Sequence, residues 1–170
     1  MLFFTCFPVV TAAVAVIMDL RTAKVDNGWI LFTLVIGLWM QITEKGLRGI
    51  PVFFAGAVFP VICLGILFFL RMLGPGDIKL FCALGGVMGM EKIGICMLVS
   101  FFAGACISAA ILLSNGEWKR RCQYLTAYVR DLVCTGQIRP YYKKGMNTLE
   151  NFHFTVPVFL SVALYAGGLY

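Results

Sequence analysis

Apolar residues in this chain come in long unbroken runs. They show neither the alternation of a half-buried strand nor the three-and-four spacing of a helix on a soluble core. Six stretches stand out: roughly Leu2 to Met18, Gly28 to Ile42, Ile50 to Leu70, Asp77 to Met90, Ile93 to Leu113 and Phe152 to Tyr170. A segment that crosses hydrocarbon must satisfy its own backbone hydrogen bonds, which leaves helices or closed barrels. Barrel strands are short and alternate in polarity, and these runs do neither. The pattern predicts an all-α polytopic membrane bundle of about six transmembrane helices, forming a single domain over residues 1–170. The second stretch is short and the fourth shorter. Counted from Asp77 the fourth has 14 residues, or about 21 Å of helix, where a full crossing takes about 20 residues. It is expected to open as a half-span into a water-filled site, or to cross where the membrane thins.

Composition agrees. The chain is 61% hydrophobic and only 13% charged, with a mean hydropathy of +0.91, whereas soluble domains run nearer half apolar and a quarter charged. The opening run lacks a basic start and is followed by Asp19-Leu20-Arg21 rather than a small-residue cleavage site. It reads as a retained span, not a signal peptide. Seven cysteines are scattered without a C-x-x-C pair, so they read as small packing residues and no metal site is expected.

Charge orients the bundle. With the N-terminus outside, eleven of the fourteen Lys and Arg fall in the segments facing the cytoplasm, against three (Lys45, Arg48 and Lys92) on the other side. The positive-inside rule selects this arrangement. It places Asp19, at the end of the first stretch, and Asp77, at the start of the fourth, on the same boundary although 58 positions separate them. Half of the basic residues lie between Lys119 and Lys144. In a membrane protein such a cluster implies anionic lipid, not nucleic acid. Trp118, Cys122, Leu125, Val129, Leu132 and Val133 fall at helical spacing, with Lys119, Arg120, Arg121 and Arg130 off that stripe. A basic amphipathic segment at about 115–150 is therefore expected to lie on the cytoplasmic leaflet.

An acid at the edge of hydrocarbon is costly and marks a functional site by default. Two carboxylates that meet there cannot both ionise freely, so they share a proton and titrate as a unit. One acts as base on a water while the protonated one polarises a carbonyl oxygen. That is peptide hydrolysis by an aspartic dyad, and it needs no metal and no cofactor. Asp77 lies in "LGPGDIKLF", near a helix start that favours a carboxylate. Gly74 and Gly76 are expected to adopt backbone conformations closed to other residues and to let a substrate chain approach.

Two motifs resemble those of the type IV prepilin peptidases, which are G-x-G-D membrane aspartic proteases. "DLRTAKVDN" is similar to the family's D-x-R-x-x-x-I-P-N stretch, and "GPGDIKL" to its G-x-G-D-x-K-L. The first departs at Val25-Asp26, where the family has Ile-Pro. The resemblance implies that Asp19 and Asp77 are the catalytic aspartates, with Gly74, Gly76, Lys79, Asn27 and Arg21 as supporting motif positions. It implies a multi-pass protein of the cytoplasmic (inner) membrane that removes the leader of a prepilin or pilin-like protein at the cytoplasmic face. The paired C-x-x-C motifs that accompany methylation in longer relatives are missing, so cleavage without methylation is expected. The short form resembles the peptidases of tight-adherence pilus systems and of archaellin processing, the former slightly better.

Other residues read more plainly. Asp26, in Asp26-Asn27-Gly28, suits a helix cap. Lys79 and Arg21 either tune the dyad or anchor to phosphates. His153 reads as an interfacial histidine without a chemical role, and Gly85, Gly86 and Gly89 as small residues for close helix packing. Two other functions fit two acids in a membrane. One is a presenilin-like intramembrane protease, whose first acid usually follows a tyrosine, where Met18 stands here. The other is a proton or ion carrier, which often shows an internal repeat, and this chain shows none.

Overall fold

The computed structural model describes residues 2–22, 24–70, 73–114, 126, 130 and 153–169. Among them run six α-helices: α1 (Leu2–Thr22), α2 (Asn27–Lys45), α3 (Gly49–Phe69), α4 (Pro75–Met88), α5 (Met90–Ser114) and α6 (Thr155–Ala166). A single 3-10 turn, Gly46–Arg48, joins α2 to α3. No strand occurs among the described residues, and the class is all-α. Three stretches, Phe4–Thr22, Asn27–Phe69 and Met90–Ile111, are long and apolar enough to cross a bilayer. The expected basic amphipathic segment at about 115–150 lies outside the described residues except for Thr126 and Arg130, both helical and exposed.

The outer faces of the bundle are greasy. Trp39, Ile62, Ile66, Phe69, Leu98 and Phe102 are all more than two-thirds exposed. A soluble protein could not keep such a surface in water, but lipid tails accept it at no cost. The protein is a membrane helical bundle.

The short fourth helix is the centre of it. α4 packs on α1, α2, α3 and α5, and Leu80, Phe81 and every residue from Ala83 to Met88 are buried. Its length is set by protein neighbours, so it has no need of a full crossing's worth of apolar surface. The helix begins at Pro75, two residues before the expected start, because a proline at the first helical position loses no hydrogen bond and has its φ preset. It stops at Met88 because Gly89 takes φ +84, a conformation that side chains resist, and α5 starts at the next residue. The second stretch is longer than its apolar run. Thr43 and Glu44 continue α2 past Ile42 to Lys45, where Gly46 at φ +61 ends it.

Glycines let α4 into the middle. Gly56 of α3 and Gly85 of α4 face each other backbone to backbone, so a Cβ on either would collide with the other's carbonyl oxygen. A Cβ on Gly86 would meet the Phe53 ring at 2.6 Å, and one on Gly37 of α2 would meet Val87 Cγ2 at 2.8 Å. Close approach of this kind is how helices gain contact in lipid, where no hydrophobic force drives them together. Gln41 of α2, nearly fully buried, adds a polar tie by donating from Nε2 to the Val87 carbonyl at 2.9 Å.

Gly56→Leu should force α3 and α4 apart and cost about 1–3 kcal/mol or more, the range for overpacking a core. Gly65→Leu, on the same helix but facing open space, should leave stability near that of the wild type. Unfolding midpoints of the two variants in one detergent check this; equal midpoints would contradict the close crossing.

Candidate active site

Four helix ends meet at one end of the bundle. Asp19 lies in the last turn of α1 and Asp77 in the first turn of α4. Asn27 opens α2, and His153 and Thr155 stand at the start of α6. The opposite end carries Glu44, Lys45, Glu91 and Lys92, with Lys92 Nζ donating to the Tyr165 hydroxyl at 2.9 Å. A cavity of about 420 Å³ opens there, lined in part by Gln41, Glu44 and Glu91. None of the site residues expected from sequence lines it.

Asp19 and Asp77 come close enough for their charges to interact, which α1 packing against α4 makes possible. Asp77 is partly buried. Its carboxylate reaches back to the backbone N–H of Gly74, the residue that caps α4, as an acid at the third helical position can do. This contact gives Gly74 a reason unlike the expected one. Its backbone, at φ −73 and ψ 148, is open to any residue. A Cβ there would instead stand 3.2 Å from Asp77 Oδ2 and crowd the carboxylate. Gly76 lacks a positive φ as well, and it faces open space.

Asp19 is held more firmly. Thr155 Oγ1 donates to Asp19 Oδ2 at 2.8 Å, and His153 Nδ1 lies 2.9 Å from the same oxygen. The Asp19 side chain is 15% exposed and that of His153 23%, so neither contact is the fully solvated kind that contributes little. Between these residues Phe154 packs its ring at a tilt against Phe101 of α5, at 5.1 Å between centroids, and meets Phe81 of α4 edge-on at 6.1 Å. Aromatic pairs at such distances add about 0.5–1.5 kcal/mol beyond burial. The start of α6 is thereby fixed to the helix that carries Asp77.

The remaining motif positions take supporting places. Lys79 Nζ donates to Asn27 Oδ1 at 2.9 Å, tying α4 to the start of α2 on the exposed rim. Arg21 is exposed at the end of α1. Asp26 does occupy the cap of α2, but its side chain makes no capping bond; its carbonyl accepts from the Ile30 N–H at 3.2 Å. Val25, where the motif departs from its usual form, packs against the core.

Set beside protein families, residues 6–109 match the model of the type IV leader peptidase family. The chain belongs to that family. It is a membrane-embedded peptidase, its substrate a protein and its solvent lipid. No curated protein and no solved structure matches the chain. Both acids fall inside the matched residues, whereas His153 and Thr155 fall beyond them.

Those two are what reading the sequence missed. His153 has no motif around it, and Thr155 is one hydroxyl in an apolar run. A signal was nevertheless present: in an up-and-down bundle the sixth stretch begins at the end where the first finishes and the fourth starts. Any polar side chain there is a neighbour of the acids.

Phe154→Ala should remove the ring contacts that seat α6 and lower stability by about 2 kcal/mol or more. Phe102→Ala, on the lipid-facing surface, should cost far less. Thermal unfolding in detergent compares the two, and parity between them would contradict the anchoring.

Proposed function

We propose that this peptidase is an aspartic endopeptidase in which Asp19 and Asp77 form the catalytic dyad. It removes the leader peptide of type IV prepilins or pilin-like proteins at the cytoplasmic face of the inner membrane. One observation carries the reading: in a chain of the leader peptidase family, two acids remote in sequence lie on adjoining helices at one end of the bundle, close enough to feel each other's charge.

The chemistry follows from the pair. With one proton between them, the ionised carboxylate takes a proton from a bound water as its oxygen attacks the scissile carbonyl carbon. The protonated carboxyl gives its proton to the carbonyl oxygen, and a tetrahedral diol forms. Collapse of the diol breaks the C–N bond. The proton gained from water passes to the leaving amine, and one hydroxyl proton returns to the other carboxylate, so the dyad ends with the single proton it began with. The Pro75-Gly76 segment beside Asp77 is partly or fully exposed, and the open space at Gly76 gives an extended substrate room to approach. The distribution of basic residues supports the cytoplasmic face, because that leaflet's loops collect Lys and Arg. Membership of a peptidase family argues against the carrier reading.

Asp19→Asn and Asp77→Asn should each abolish the mobility shift of a co-expressed leader-bearing precursor while leaving the chain folded and membrane-inserted. Leader removal by either variant would reject the dyad. Cleavage rate against pH should trace a bell. At low pH both acids are protonated and no base remains; at high pH both are ionised and no acid remains. A single monotonic step would point to one carboxylate acting alone. Gly74→Ala should slow cleavage by crowding the Asp77 carboxylate, and Gly76→Ala should be better tolerated by the fold.

A further inference from the structure

Asp19 and Asp77 are not equivalent, and the difference comes from α6. Both partners of Asp19 meet one oxygen, Oδ2: the Thr155 hydroxyl at 2.8 Å and the His153 imidazole at 2.9 Å. Oδ1 takes part in neither contact. Thr155 is 1% exposed and cannot turn to solvent instead. Phe154, between the two, is fixed against Phe81 and Phe101, so the pair moves as one piece with α4 and α5. Asp77 has a looser hold, the backbone N–H of its own helix cap.

We propose that His153 and Thr155 are positioning residues of the peptidase, clamping Asp19 by Oδ2 so that Oδ1 is presented to the attacking water and Asp19 serves as the base. This rests on the reading of Asp19 and Asp77 as the dyad. The hydroxyl proton of Thr155 occupies a lone pair on Oδ2, and an imidazole bearing a proton on Nδ1 donates to the same atom. Oδ2, engaged twice as acceptor, is poorly placed to carry the shared proton; for Oδ1 to be free to take the proton from water, the shared proton resides with Asp77. The clamp also removes the rotation of the Asp19 carboxylate about its own axis, and a misplacement of about 1 Å at a reacting group can cost on the order of 100-fold in rate. The active centre then takes parts from α1, α4 and α6, and residues 6–109 alone do not complete it.

The test uses the full chain in detergent with a leader-bearing precursor that the wild type cleaves. His153→Leu and Thr155→Val remove each donor while keeping bulk. His153→Asn places an amide N–H where Nδ1 stands, and Thr155→Ser keeps the hydroxyl. The Leu and Val variants should lose on the order of 100-fold in kcat, with KM within about twofold of the wild type because substrate binding is untouched. Asn and Ser should recover most of the loss, and unfolding midpoints should not track activity across the four. Full turnover in the Leu and Val variants overturns the clamp; so does failure of Asn and Ser to rescue, or a loss that follows the midpoints. Asp19→Asn and Asp77→Asn run alongside. If those two are inactive while the clamp variants are not, only the clamp falls. If they still cleave, the dyad itself is wrong.

Discussion

The backbone crossing of α3 and α4 at Gly56 and Gly85 is the contact on which the rest of the architecture depends. In lipid, apolar side chains gain nothing by leaving their solvent, so helices hold together through close packing and a few hydrogen bonds. A short helix in the middle of a bundle must therefore let its neighbours come near. α4 does so with glycines facing α3, with Gly86 under the Phe53 ring, and with Val87 against Gly37 of α2. Because it is enclosed by protein, α4 can be shorter than a bilayer is thick and still be buried along most of its length. Asp77 stands at its head, and the placement of that carboxylate is inherited from the glycine contacts below it.

The acid end of the bundle is built from helix termini rather than from a loop. α1 finishes there and α4 and α6 begin there, which brings Asp19, Asp77, His153 and Thr155 into one neighbourhood without any segment crossing the membrane out of turn. The aromatic trio of Phe81, Phe101 and Phe154 gives this neighbourhood a rigid floor. The opposite end is tied together by different means, with Lys92 both donating to the Tyr165 hydroxyl and lying over its ring at 5.1 Å. Charged side chains among the described residues thus sit at the two ends, and the middle is held by packing and a few hydrogen bonds such as that from Ser161 Oγ to the Cys96 carbonyl at 2.9 Å.

In the proposed mechanism the two acids do unequal work, and their surroundings differ accordingly. Asp77 answers to a backbone amide of its own helix. Asp19 answers to side chains that arrive from the far end of the chain. Pairs of carboxylates acquire distinct roles when their environments are made distinct, and here the last helix supplies the difference.

Reading the residues alone established that the chain is helical and lives in a membrane, because unbroken apolar runs admit few other solutions. It also singled out Asp19 and Asp77, since a carboxylate beside hydrocarbon is conspicuous, and G-x-G-D is a specific pattern. It placed both on one boundary through the arrangement of basic residues. Helix ends were less legible, because they depend on Gly46 and Gly89 taking positive φ and on polar Thr43 and Glu44 staying helical. Gly74 in G-x-G-D suggests backbone freedom, but its φ of −73 needs none, and the position is small to leave room for the Asp77 carboxylate. His153 and Thr155 could not be found by pattern, for a lone histidine and a threonine in an apolar run have no spacing to mark them. Only the tertiary packing of α6 against α1 and α5, with Phe154 set on Phe81 of α4, puts them on Asp19. Local chemistry is written along the chain, but which remote side chains share an oxygen is decided by how the helices pack.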